Sequence, residues 1–398
     1  MSVQRQAATE IASRLHGAGH IAWFAGGCVR DELLGMEPKD YDVATDAVPE
    51  EVQRLFPRAV PVGAAFGVML VRHLGASVEV ATFREESGYS DRRRPDHVSF
   101  SDARADAGRR DFTINGLFSD PQTGEIHDFV EGRADLDARV LRAIGNADQR
   151  LDEDHLRMLR AVRFIASLGV TLEAETEAAI KRHAAKLCGV SRERVGDEVR
   201  RILRGDGRLK GLDALESLGL GAAIFGSSPT GAGYQRVARV SEVDPTVPAL
   251  LAAWAMDRTA GADEDVVAAW RAAMLLTNDE CAGMTACLRS VARFRQWADL
   301  GVAARKRLAS TARAEAALAI LSAEEATAGI ARDIEVLAQT GLAPARLING
   351  DALISAGMQP GPGLGAVLEQ VYDAQLEGRV STQDEAMALA RALGGEGG

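Results

Sequence analysis

The sequence predicts an α+β fold, with a small mixed sheet in a head over residues 1–145 and an all-helical remainder. Three observations carry this expectation. Short apolar runs bounded by glycine-rich turns crowd the first third of the chain. From about residue 146 the pattern becomes Ala- and Leu-rich with a 3.6-residue period. Proline is scarce there, so little interrupts the helices.

The elements follow in order. An amphipathic helix is expected at about 4–18, then an apolar strand "IAWFA" at 21–25. "GGCVRDELLG" turns into a short helix ending at Gly35. Strands follow at "YDVAT", "FGVMLVRH" and "SVEVATFR", the last two joined by the hairpin-like turn "LGAS". "PQTGEIHDF" reads as a final hairpin. Breaks at "RGDGRLKG", "FGSSPTGAG" and "GMQPGPGLG" divide the helical part, whose "PGPG" separates two helices rather than forming a site. The expected division is a head at 1–145, a neck at 146–210, a body at 211–340 and a tail at 341–398 ending in a frayed "GGEGG".

Composition narrows the class. Among 398 residues, 46% hydrophobic and 26% charged are values ordinary for a soluble globular protein. No run of 18 apolar residues occurs and "MSVQRQAATEIASRL" lacks a signal-peptide core, so a cytoplasmic protein with no membrane partner is expected. Cys28, Cys188, Cys281 and Cys287 form no C-x-x-C pair, which argues against a disulfide framework and a zinc site. The net charge of −11 speaks against a nucleic-acid partner. That average hides arginine clusters in "SDRRRPDH", "GRRDF", "HLRMLRAVRF" and "SRERVGDEVRRILRGDGRLK". Such clusters suit phosphate binding at chosen places, or equally helix faces laced with i,i+4 ion pairs.

Two stretches carry candidate chemistry. Gly26 and Gly27, between a strand and a helix, allow a ligand to approach the backbone, and a helix N-terminus offers N–H groups to an anion. Arg30 adds a charged fork for phosphate oxygens. A plain turn remains the simpler reading of the glycines, and neither GxGxxG nor a P-loop is present. In "GMEPKDYDVATD", strand alternation places Asp40 and Asp42 on one face and Tyr41 on the other. Paired carboxylates beside a phosphate-binding turn suit Mg²⁺, although a capping or calcium-loop motif has the same letters. Glu79 alternates with Val78 and Val80 and is a candidate third carboxylate on an adjacent strand. His127–Asp128 lacks a second histidine cluster and reads as structural.

"GGCVRD" followed by "DYDVAT" resembles the nucleotidyltransferase domain of the polymerase-beta superfamily. "RRDFTINGL", "EDHLRMLRAVRF", "GRADLDARVLRAIG" and "SRERVGDEVRRIL" are similar, in order, to motifs of the bacterial-type (class II) tRNA nucleotidyltransferases and poly(A) polymerases. The likeness runs over about 20–205 and resumes near "INGDALISAGMQPGPGLGAVLEQV". "NGL" stands where "NAM" is usual, and residues 210–340 do not align. The resemblance implies a polymerase-beta-like head, with Asp40 and Asp42 holding the catalytic metals and Glu79 as the third carboxylate. It gives the triphosphate to Gly27 and Arg30, and a phosphate or ribose to Arg110.

Asp154, Arg157, Arg160 and Arg163 recur every third residue. On a helix that row winds backwards while neighbours touch, so Asp154 and Arg157 can offer an acceptor and a donor fork to one flat ligand edge. Cytosine and adenine present an amine beside a ring acceptor; uracil and guanine put a carbonyl there. Residues alone favour a surface ion-pair ladder; the resemblance implies the base-reading role.

The function so implied is addition of C, C and A to the tRNA 3′ end from CTP and ATP with Mg²⁺, without DNA. The alternatives are a poly(A) polymerase or partial CCA-adding enzyme, and a non-catalytic RNA-binding relative. "REESGYSDRRRPDHVSFSDARADAG" is the expected flexible element that lets one pocket switch from C to A. No phosphohydrolase domain follows, so no phosphatase activity is expected.

Overall fold

The computed structural model describes residues 2–63, 67–231, 233–259, 263–324 and 326–395. Its internal contacts divide the chain into two units, Met1–Ser228 and Pro229–Gly398, and the division falls inside the expected break "FGSSPTGAG". Of the stretches read from sequence, Met1, Phe66, Ala232 and residues 396–398 lie outside the described residues.

The first unit opens with α1 (Val3–Gly17), whose buried stripe of Ala7, Ala8, Ile11, Ala12 and Leu15 repeats at helical spacing. Then come β1 (Ala22–Ala25), α2 (Gly27–Leu33), β2 (Val43–Thr45), α3 (Pro49–Leu55), β3 (Val60–Gly63), β4 (Val68–His73) and β5 (Ala76–Thr82). Leu74 and Gly75 turn β4 into β5 with positive φ at both positions, the twist that suits a two-residue hairpin. On β5, Val78 and Val80 are fully buried and Glu79 is exposed, as alternation requires.

A separate ribbon of β6 (Arg84–Ser87) and β7 (His97–Phe100) follows, then α4 (Ala103–Gly108) and a single 3₁₀ turn at Thr113–Asn115. The expected hairpin forms as β8 (Leu117–Ser119) and β9 (Ile126–Asp128). One mixed sheet runs β3-β4-β5-β2-β1-β8-β9, with β2 and β5 parallel and the other neighbours antiparallel. Ala25, Ala44, Phe83, Ala103, Ala107 and Phe118 make a core cluster between this sheet and α4.

Next come α5 (Gly132–Asp137), β10 (Val140–Leu141), α6 (Ala147–Glu153), α7 (Leu156–Leu168), β11 (Thr171–Leu172), α8 (Ala174–His183), α9 (Arg192–Arg204), α10 (Arg208–Ser217) and α11 (Leu220–Phe225). β10 lies in the expected head, and its parallel partner β11 falls in the region from about 146 that the sequence reads as helical almost throughout.

The second unit is helical from Gln235 to Gly395 in its described residues. Trp254 packs edge-on to Trp270 in one core, and Ile348, Leu353, Val367, Val371, Ala386 and Ala390 build another. Its last helix runs to Gly395, through the start of the segment expected to fray. No helix among the described residues is long and apolar enough to cross a membrane.

Candidate active site

A cavity of about 700 Å³ opens in the first unit, and ten of the eleven residues singled out above line it or stand at its mouth: Gly26, Gly27, Arg30, Asp40, Asp42, Arg110, Asp154, Arg157, Arg160 and Arg163. Glu79 is not among its lining residues. It sits on β5 one residue before the Val43–Val80 pair, so extending the register sets it beside Asp42.

The first wall is the β1–α2 turn. Gly26 has φ of +71°, a conformation that favours glycine, and a Cβ there would displace the tip of Arg110, 2.6 Å away. Arg30, in α2, donates to Asn115 Oδ1 at 2.6 Å and pairs with Asp31, its guanidinium 5.2 Å from the Phe164 ring centroid.

Asp40 and Asp42 belong to the extended segment before β2, which is shorter than the strand expected. The alternation still holds: Tyr41 turns to the core, edge-on to Phe24, and donates to Glu32. Asp42 reaches solvent along one side but is crowded by protein on the others. Desolvation pushes its carboxyl up to about 6, Glu79 and Asp40 push the same way, and Arg110 pulls it down. Three carboxylates that repel one another form an all-oxygen donor set fitting a hard divalent cation.

Among the described residues, the three metal-ligating side chains whose ligand atoms fall within 4.8 Å of one another are Asp152, His155 and His183, not this trio. Asp152 there already accepts from Lys186 at 2.7 Å and pairs with Arg92.

The opposite wall departs from the row read in the sequence. Asp154 is not on the helix. It ends α6 with an extended backbone, and α7 starts two residues later. Asp154 and Arg157 each have another partner: Asp154 accepts from Arg194 at 2.7 Å, and Arg157 pairs with Glu153 and donates to the Arg150 carbonyl at 2.6 Å. Arg157 is 9% exposed, so the surface ladder is not what forms. Arg160 pairs with Asp111 and Arg163 with Glu198, while the Arg163 guanidinium lies 4.5 Å from the Phe164 centroid.

The sequence reading assigned no role to Asp111, Asn115, Phe164, Arg109 or Arg194, although all lie within the quoted motifs and line the cavity. Burial opposes charge on Asp111, yet Arg160, the Asn115 amide and the Phe112 N–H together hold its carboxyl at about 2. Arg109 and Arg110 share Asp106, a carboxylate 1% exposed.

In the second unit, Arg305, Lys306, Arg307 and Arg313 are engaged by Trp297, Thr340, Asp373 and Asp244. His127 is a structural residue as expected, stacked on Trp23 at 3.8 Å.

Comparison with known proteins gives the following. Residues 22–142 match the poly A polymerase head domain, and 169–229 the probable RNA and SrmB-binding site of polymerase A. A CCA-adding enzyme of Lactiplantibacillus plantarum is 39% identical over 71% of this chain and 70% of its own length. Another, from Levilactobacillus brevis, is 32% identical over 96% of each. The crystal structure of the Bacillus stearothermophilus CCA-adding enzyme in complex with CTP superposes with a TM-score of 0.77 and 29% identity, over 98% of both chains.

Proposed function

The chain belongs to the family of CCA-adding enzymes and is a nucleotidyltransferase, and from this premise we propose that it adds C, C and A in turn to the 3′ end of tRNA from CTP and ATP. The observation that carries the reading is one cavity lined by the carboxylates Asp40 and Asp42 and also by the acceptor Asp154 and the donor Arg157.

In this reading the RNA 3′-hydroxyl attacks the α-phosphorus and pyrophosphate leaves. The backbone of Gly26 and Gly27, with Arg30 and Arg110, takes the triphosphate, and Arg160 and Arg163 complete a cationic wall. Asp40 and Asp42, with Glu79 behind them, would hold Mg²⁺ in a two-metal arrangement; when bound, that ion supplies positive charge against the phosphoryl and leaving oxygens.

Asp154 accepts from the amine of C or A while Arg157 donates to the adjacent ring acceptor, so the protein itself serves as template. UTP and GTP would set a carbonyl against the Asp154 carboxylate. The ribbon of β6 and β7 is the element we assign to the change from C to A. The first unit carries the head and neck, and helices beyond residue 205 grip the tRNA. The setting is the cytoplasm.

The experiment combines purified protein, tRNA lacking its 3′ CCA and labelled nucleotides given singly and together. Two C from CTP alone, one further A once ATP is added, and nothing from UTP or GTP are expected. A run of A from ATP alone would make the protein a poly(A) polymerase, and no incorporation would make it a non-catalytic relative.

A further inference from the structure

A second cavity of about 320 Å³ lies in the first unit, between the β6–β7 ribbon and the start of α9. Arg92 and Arg93 from the ribbon, and Lys186 and Arg194 from the helical side, bring four cations to it. The carboxylate in its lining, Asp91, already accepts from the backbone N–H groups of Arg93 and Arg94, at 2.9 and 2.7 Å. With those bonds, the Arg93 charge helps to hold the neighbouring Asp91 carboxyl below its ordinary value. The wall also includes Ser191, the residue before α9, whose side chain makes no capping bond. Arg92 and Lys186 are paired with Asp152 and Arg194 with Asp154, so with Asp91 the four cations face three carboxylates and leave one net positive charge. An anion with several acceptor oxygens, as phosphate has, can compete for these donors.

Arg194 lines both cavities. It donates to Asp154 at 2.7 Å, so the carboxylate assigned to the base amine is occupied by a cation that also borders the second cavity. An anion arriving there competes for the same guanidinium.

We propose that the second cavity binds a backbone phosphate of the RNA substrate and that this phosphate draws Arg194 off Asp154, freeing the carboxylate to read the incoming base. The coupling rests on the role proposed above for Asp154; the phosphate site does not. Base reading is thereby switched on by the RNA. Without RNA, Asp154 is neutralised by Arg194 and CTP loses one of its contacts. With RNA bound, Asp154 is available and CTP binds more tightly. By linkage, CTP must tighten RNA binding by the same factor, and such couplings typically span about 5- to 150-fold.

The test uses the full chain and measures equilibrium binding of CTP with and without saturating tRNA that lacks its 3′ CCA and ends in a 3′-deoxynucleotide, so that no CTP is incorporated, and of that tRNA over a salt series. In the wild type, tRNA is expected to tighten CTP by roughly fivefold or more. The double variant Arg93→Ala/Lys186→Ala should bind CTP alone as the wild type does, bind tRNA more weakly with a salt slope shallower by about 1 to 1.5, and lose the tRNA effect on CTP. Arg194→Ala should bind CTP equally with and without tRNA. A double variant with unchanged tRNA affinity and salt slope overturns the proposal, as does one that loses CTP affinity in the absence of RNA. Inorganic phosphate that tightens CTP as tRNA does, in a protein whose tRNA affinity the double variant leaves intact, overturns the RNA assignment. Asp154→Ala separates the two claims: retained base preference there removes Asp154 from base reading, while a weakened tRNA interaction in the double variant still establishes the phosphate site.

Discussion

Metal binding at Asp40 and Asp42 should be proton-linked near neutral pH, at a value most carboxylate sites do not reach. Desolvation, Glu79 and Asp40 lift the Asp42 carboxyl from an ordinary 3.8 to about 6 against the pull of Arg110. A divalent cation needs the carboxylate, so protonation competes directly with it. With that pKa, about nine in ten molecules are ionised at pH 7 and about one in ten at pH 5, so apparent Mg²⁺ affinity should drop about tenfold between them. Calorimetric titration of the nucleotide-free protein with Mg²⁺, in two buffers of different ionisation heat, reads both the affinity and the proton released. Near pH 6 about half a proton should leave per ion bound. Asp42→Asn should abolish both the binding and its pH dependence. Affinity that stays flat from pH 5 to 7, with no proton released, would refute the reasoning, because the carboxylate would then be ionised throughout.

Four further outcomes follow from the same geometry. Asp40→Ala and Asp42→Ala should each abolish nucleotide incorporation in a protein with an unchanged circular dichroism spectrum; near-normal Mg²⁺-dependent incorporation by either variant removes it from the metal set. Asp154→Ala should lose rate and discrimination against UTP and GTP by on the order of 1–3 kcal/mol in competition assays; a wild-type preference ratio would return Asp154 to a purely structural role. Asp111→Asn should destabilise the fold by on the order of 2 kcal/mol in urea titration at pH 7, from the drop of its pKa from 3.8 to about 2. A depressed folded pKa stabilises above pH 4 and is lost from there down to pH 2, so the deficit should shrink only in that window, and an unshifted midpoint at pH 7 would contradict it. Removing residues from 345 onward should weaken tRNA binding far more than CTP binding, the remaining interaction still falling steeply with salt; unchanged tRNA affinity in a folded truncated protein would make the tail structural.

What was legible in the sequence was what short-range pattern dictates. The stripe of α1, the buried Val78 and Val80 beside exposed Glu79, and the opposed Tyr41 and Asp42 all follow from periods of 3.6 and 2. Illegible were the places where a long-range partner overrides the local pattern. The row at Asp154, Arg157, Arg160 and Arg163 has the spacing of one helix, but the backbone breaks at Asp154, which Arg194 holds from 40 residues away. The arginines of stretch 304–315 are held by Asp244 and Asp373, which no local pattern reveals. The β6–β7 ribbon falls where a flexible segment was expected, and its Arg92 is held by Asp152 across 60 residues.

Those long-range pairs also join the residues proposed for the phosphates to those proposed for the base. Asp111 accepts from Asn115 at 2.9 Å and from Arg160 at 2.8 Å, and Asn115 in turn accepts from Arg30 at 2.6 Å. Arg30 on α2 and Arg160 on α7 are therefore joined through a single buried carboxylate. Arg157 reaches the same motif by donating to the Arg109 carbonyl at 3.3 Å. In the proposed function, a nucleotide gripped by its phosphates at Arg30 would meet Arg157 and Asp154 at a separation set by protein bonds rather than by RNA. Selecting a base without a template strand requires that fixed separation, since an error of about 1 Å in placing the donors would discard the discrimination they provide.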